Sequence, residues 1–346
     1  MAWEKLGTAS VGGTTANTSW KELGRVTLSS GNTEITTSAI TPKDNMMVLG
    51  YADANGSGVD LTFRCGYNSL DTGNNYSSRR SENGGTDSTT GGRGNMIFSD
   101  SQTSAEYFTV QEFANVSAQE KLLIGSTILN SASAGSGTAP DRAETVNKWA
   151  DTSNQANIFS FDQGNWNSGS EMVILGYDND EADSGTNFWQ ELASVELSSG
   201  STNNFNTGAF TAKKYLMIEA YVVADGVCSP RIRVGTGGSV DTGTNIASRT
   251  SSNGGADGTA TSRDDMITTI SGLSTPHKIT AFMVNKSDKE KLCIHESTAQ
   301  NTAGAGTAPQ RREGVSKYAN TSAQVNIIEI EDSESSTGIG NGSLIK

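Results

Sequence analysis

Apolar and polar side chains alternate with a period of two along much of the chain. Val59, Leu61, Phe63, Cys65 and Tyr67 are interleaved with Asp60, Thr62, Arg64 and Gly66, so one face of the stretch is apolar and the other wet, the pattern of a half-buried strand. The same alternation appears at Val26/Leu28, Val195/Leu197, Leu216/Ile218/Ala220/Val222 and Ile232/Val234. Apolar runs near 46–51, 107–113, 122–129, 158–161, 172–177, 279–284 and 327–330 predict further strands. The one helical competitor, 142–150, contains Thr145, Val146 and Trp149, all weak helix formers, and has no clear cap. The expected class is all-β, with antiparallel sandwiches of the jelly-roll kind and Gly/Ser/Asn loops between strands.

The chain contains a long internal repeat. Asp71–Asp87 (DTGNNYSSRRSENGGTD) and Asp241–Asp257 (DTGTNIASRTSSNGGAD) agree at 11 of 17 positions, and Val146–Ile158 agrees with Val315–Ile327 at 8 of 13. Gly137-Thr138-Ala139-Pro140 returns as Gly306-Thr307-Ala308-Pro309, and Trp20-Lys21-Glu22-Leu23 as Trp189-Gln190-Glu191-Leu192. The period of about 170 residues is far longer than that of a solenoid, so each copy is expected to own a core. The expected organisation is an N-terminal arm (1–19), copy 1 (20–177), an acidic linker (178–188) and copy 2 (189–346), giving two tandem β-sandwiches.

Composition narrows the function. Of 346 residues only 18% are charged and 34% hydrophobic, with 39 Gly, and the net charge is −13. That charge density is too low to hold a chain open by repulsion. The acidic balance argues against a nucleic-acid partner, which needs clustered Lys and Arg. No apolar run approaches a membrane span, and residues 1–20 lack the basic and apolar regions of a Sec signal.

The repeat lets each reactive residue be compared with its counterpart. Cys65, Cys228 and Cys293 stand opposite Val234, Val59 and Leu123, so the thiols read as small buried hydrophobes and fit synthesis in a reducing compartment. His277 aligns with Tyr107 and His295 with Gly125, which leaves no shared nucleophile–histidine centre, and no catalytic residue is assigned. The shared S-R-x-S-x-N-G-G-x-D element places Asn83 and Asn253 in tight turns. Its Arg79 and Arg249 either pair with Asp87 and Asp257 across the hairpin or face a ligand. Trp149 and Tyr318 are either core aromatics or platforms for sugar stacking. The linker carboxylates Asp178, Asp180 and Asp183 are weak calcium candidates, because Ala182 breaks the EF-hand spacing. No cofactor or metal is expected.

The two elements D-T-G-x-N-(Y/I)-x-S-R-x-S-x-N-G-G-x-D and G-T-A-P-x-R-x-E-x-V-x-K-(W/Y)-A-x-T-S-x-Q resemble β-rich virion structural proteins, of the fibre or decoration type, from marine tailed phages and related viruses. In this chain they lie at 71–87 with 137–158 and at 241–257 with 306–327. The resemblance implies a non-enzymatic capsid decoration, fibre or tail component made in the host cytoplasm and located in the virion. Its expected partners are itself, as a homo-oligomer of which a trimer is one form, and other virion proteins. The alternative is a glycan-binding adhesin or receptor-binding module that meets host surface glycans through Arg79, Asn83, Trp149, Arg249, Asn253 and Tyr318. Neither nucleic acid nor membrane is an expected partner.

Overall fold

The computed structural model describes residues 10–11, 14–15, 20–56, 59–102, 105–130, 134–178, 187–270, 272–299, 305–334 and 338–346. The described residues hold strands, turns and bends and no helix, so the all-β class expected from the alternation is what the chain adopts. They divide into two compact units. The first runs to Glu82 and adds Thr86–Thr127 and Ala143–Gln190; the second comprises Asn83–Gly85, Ile128–Arg142 and Glu191–Lys346. Most of the expected arm (1–19) and linker (178–188) lies outside the described residues.

Besides the two-residue pair Ser10–Val11 and Thr14–Thr15, twelve strands build the first unit, two of them (β9 and β10) running at 128–130 and 141–142 into the second: β1 Lys21–Thr27, β2 Ile35–Thr36, β3 Asn45–Asp53, β4 Val59–Gly66, β5 Tyr76–Glu82, β6 Ser88–Arg93, β7 Met96–Gln102, β8 Glu106–Ala114, β9 Lys121–Asn130, β10 Asp141–Trp149, β11 Ile158–Asp162 and β12 Glu171–Tyr177. Eight of them form one sheet in the order β1-β12-β3-β8-β9-β10-β5-β6, and the other four a second sheet, β2-β11-β4-β7. Pairing is antiparallel, as between β3 and β8 from Asp53↔Glu106 to Asn45↔Ala114.

Aromatic side chains fill the core of this unit. Phe63 stacks on Phe98 at 5.0 Å and on Phe159 at 6.0 Å, and Phe113 meets Phe159 edge-on at 6.1 Å. Phe161, opposite Phe63 on β11, reaches across to Gly50 on β3. Cys65 ends the apolar row of β4, fully buried, with its carbonyl accepting the Tyr76 hydroxyl at 2.6 Å.

In the second unit, besides the two-residue pair Ser201–Thr202 and Ile339–Gly340, the strands are β13 Val195–Glu196, β14 Asn204–Asn206, β15 Tyr215–Val222, β16 Pro230–Thr236, β17 Ser239–Val240, β18 Ile246–Ser252, β19 Gly258–Arg263, β20 Ile267–Thr268, β21 His277–Val284, β22 Lys291–Ala299, β23 Gln310–Tyr318, β24 Ile327–Asp332 and β25 Leu344–Ile345. An eight-stranded sheet runs β13-β25-β15-β21-β22-β23-β18-β19, and a smaller sheet β14-β24-β16-β17 takes β20 against β16. Here the core is aliphatic. Ile232, Ile328 and Ile330 stand at the repeat positions of Phe63, Phe159 and Phe161. Cys228 and Cys293 are buried among them.

One strand in each unit carries little apolar signal and is not expected from the sequence as a separate element. β6 (STTGGR) and β19 (GTATSR) end their sheets with both faces largely exposed, so no alternation marks them. The tight turns of the shared element form on Asn83-Gly84 and Asn253-Gly254, whose φ values of 51°, 69°, 54° and 73° are all left-handed. Gly85 and Gly255 have no such φ, so positive backbone geometry falls on the Asn and the first Gly alone.

Candidate functional site

Trp149 and Tyr318 end β10 and β23, and each is 1% exposed. The indole Nε1–H of Trp149 donates to Asp71 Oδ2 at 2.8 Å, and the Tyr318 hydroxyl donates to Asp241 Oδ2 at 2.7 Å. Asp71 also takes the Gly73 N–H on Oδ1 and the Asn75 amide on Oδ2. Burial pushes the Asp71 carboxyl up, but the hydrogen bonds from Trp149, Asn75 and Gly73 outweigh it and hold it below the usual carboxylate range. The shared aspartate therefore ties its turn to the shared aromatic. Neither ring offers a face on which a sugar could stack, because both faces lie within the fold.

Asn83 and Asn253 clamp the neighbouring strand. Asn83 N–H donates to the Arg142 carbonyl at 2.8 Å, while its Oδ1 accepts the Arg142 N–H at 2.9 Å. Asn253 makes the same pair with Arg311, 3.0 Å in each direction. The arginines behave differently. Arg79 pairs with Asp87 at 3.2 Å, in the open, as the hairpin reading expects. Arg249 and Asp257 do not pair: Arg249 reaches Asp141 Oδ1 at 3.2 Å and donates Nε–H to the Pro140 carbonyl, while Asp257 receives Arg142 at 2.7 Å.

The remaining reactive groups sit inside the fold. The three thiols are fully buried and unpaired in disulfides. Burial raises Cys65 and Cys293 well above the ordinary thiol range and pushes Cys228 up to about 12. His277 is lowered to about 4 by burial, partly opposed by Asp332, and His295 to about 3 by burial and then by Arg312 and Arg142. Asp178 binds the Lys43 amine and the Asp44 N–H, whereas Asp180 and Asp183 lie outside the described residues. Among the described residues no three His, Cys, Asp or Glu side chains converge as a metal site would require.

What the first unit does present is a trough on the outer face of its eight-stranded sheet, about 940 Å³ in volume. On β9, Lys121 and Leu123 turn inward while Leu122 and Ile124 turn out, 56% and 60% exposed; Val146 on β10 joins them at 44%. Trp20 and Tyr177, in edge-to-face contact at 4.8 Å, also line the trough, as do Arg79, Glu112 and Lys148. Lys148 pairs with Glu120 at 3.0 Å in the open. Apolar centre and charged margin are the composition of a protein interface. The sequence carries this signal only weakly, because Leu122-Leu123-Ile124 is apolar on both strand faces.

No family model and no curated protein matches the chain. Among solved structures, Neisserial surface protein A shares 6% identity over 84% of this chain and 99% of that chain, with a TM-score of 0.11. The outer membrane protease OmpT from Escherichia coli shares 7% over 84% and 97%, with a TM-score of 0.14. An acyl-CoA hydrolase from Agrobacterium tumefaciens shares 6% over 63% and 73%, at 0.13. At these scores the likenesses carry no weight for fold or function.

Proposed function

We propose that the chain is a non-enzymatic structural component of a virion, built as two tandem jelly-roll-like β-sandwiches, that works by associating with itself and with other virion proteins. The observation that carries this reading is the trough: three aliphatic side chains of one sheet face stand open to water beside paired charges. A lone soluble domain rarely leaves such a face uncovered. The residues most strongly shared between the repeats support it from the other side. Asp71 with Trp149, Asp241 with Tyr318, Asn83 with Arg142 and Asn253 with Arg311 are all engaged within the fold, which leaves the recurring motif a structural task. The corresponding strand orders of the two eight-stranded sheets support the duplication.

The test is sedimentation velocity of the full chain over a broad concentration range, with immunogold labelling of purified particles. Assembly in solution together with label on particles is the expected result; a monomer at every concentration with unlabelled particles overturns the reading. A glycan-binding reading retains one observation, the half-buried Trp20–Tyr177 pair in the trough. Quenching of tryptophan fluorescence by a host polysaccharide, lost in Trp20→Ala, would favour it.

A further inference from the structure

The same sheet face exists in the second unit, and there it is covered. Leu292, Ile294 and Val315 stand at the repeat positions of Leu122, Ile124 and Val146, yet they are 0%, 7% and 0% exposed. The second unit contains the segment Ile128–Arg142, and described residues of that segment are hydrogen-bonded beside this face. Asn130 donates to Glu290 Oε2 at 2.7 Å and accepts Lys317 Nζ on its own Oδ1 at 2.8 Å. In the register of β22 with β23, Lys317 lies opposite Leu292 and Val315 opposite Ile294, so Asn130 sits directly beside the apolar row. Further along the segment, Arg142 binds Asp257, and Pro140 and Asp141 bind Arg249.

Each of these partners has an uncovered twin in the first unit. Lys148 and Glu120 repeat Lys317 and Glu290, and Arg79 and Asp87 repeat Arg249 and Asp257. Where the covered arginine and aspartate are drawn apart, each to the segment, the uncovered ones pair with each other, exposed. The segment also has a twin. Gly306-Thr307-Ala308-Pro309-Gln310-Arg311 repeats Gly137-Thr138-Ala139-Pro140-Asp141-Arg142, and Arg311 is 64% exposed where Arg142 is 4%.

We infer that the trough of the first unit is the docking site for a second copy of this chain, which inserts its Gly306–Arg311 segment there as Gly137–Arg142 is seated on the second unit. Arg311 then takes Asp87, and Arg79 takes the Pro309 carbonyl and the Gln310 amide oxygen. The inference deepens the self-association reading above and rests on it. The contact is heterologous, because segment and trough are different surfaces, so repeated docking gives a ring if it closes and a filament if it does not. Because the contact forms between copies, assembly depends on concentration.

Sedimentation velocity on three full-length proteins tests it: wild type, Ile124→Glu in the trough and Arg311→Glu in the segment. Both substituted side chains are exposed, and unchanged thermal melts establish that each variant is folded; Asp87→Arg replaces the trough variant if it is not, and Arg311→Ala the segment variant. Wild type is expected to assemble, and each variant alone to remain monomeric. An equimolar mixture of the two is expected to form dimers and nothing larger, since one intact trough meets one intact segment. Assembly that persists in both variants, or a mixture that stays monomeric, overturns the inference and leaves self-association standing. A monomeric wild type that nonetheless labels particles, with labelling lost in Ile124→Glu, overturns it in favour of another virion protein in the trough. A monomeric wild type absent from particles removes both readings.

Discussion

Gly50 lies directly against Phe161: a Cβ placed on the glycine would fall 2.3 Å from the ring Cζ and 3.0 Å from Thr109 Cγ2. In the repeat, Gly50 is answered by Ala220 and Phe161 by Ile330. The methyl group that one core lacks on one strand is balanced by the larger ring on the other, as close packing demands. Gly50→Ala should overpack the first unit and cost about 1–3 kcal/mol. Phe161→Ile should leave a void and destabilise as well. Together they should cost less than their sum, with a coupling of about 1 kcal/mol or more, read from urea unfolding of the four proteins of the cycle. Strict additivity would mean that the two positions do not share one volume.

The twin ion pairs separate burial from chemistry. Lys317–Glu290 has both side chains buried, whereas Lys148–Glu120 has both exposed. Lys317→Met leaves the buried Glu290 carboxylate to neutral donors, the Asn130 amide and the Gly135 N–H, and should cost about 3 kcal/mol. Lys148→Met should cost about 1 kcal/mol or less. Denaturant midpoints of the two variants compare them directly, and equal losses would contradict the difference in burial.

Acid should weaken the fold through its histidines. Free histidine titrates near 6.5, and His277 and His295 are held down to about 4 and about 3. Below pH 6.5 the unfolded chain binds protons that the native one refuses. Their contribution to stability is therefore complete above about 6.5 and declines as pH falls towards 4, by up to about 1.4 kcal/mol per pH unit for each ring. The buried carboxyls Asp162 and Glu329 are shifted upward by burial and act in the opposite sense over part of this range. The readout is thus a difference: His277→Phe should lose less stability than wild type between pH 7 and pH 4.5. Parallel curves would show that His277 titrates normally.

Native protein should leave a thiol reagent unreacted at neutral pH. All three sulfurs are shielded from water, and burial keeps each thiol protonated. Three equivalents should react on unfolding in guanidinium. Rapid modification of any cysteine in the native state would locate an opening of that core.

Alternation made most of the fold legible. The rows at Val59–Cys65, Leu216–Val222 and Ile232–Val234 lie on strands, whereas Tyr67 falls just past its strand and is exposed, and comparison of the repeats marked the cysteines as core positions, where they are found. What stayed hidden depended on partners far away in sequence. Trp149 reads equally well as a sugar platform or a core ring until Asp71, 78 residues earlier, is seen to hold its indole. Arg249 and Asp257 have the spacing of a hairpin pair, but Arg142 and Asp141 lie closer to the charges they take. The trough was invisible because Leu122 and Ile124 differ from Leu123 only in which way they face.

The outermost strands Ser88–Arg93 and Gly258–Arg263 consist of Ser, Thr, Gly, Ala and Arg. A foreign strand zipped onto such a rim would satisfy main-chain amides but gain almost no shelter for greasy groups. Sideways, amyloid-like growth is thereby discouraged, and a protein crowded at high local density can stick through its broad surfaces without fusing at its borders.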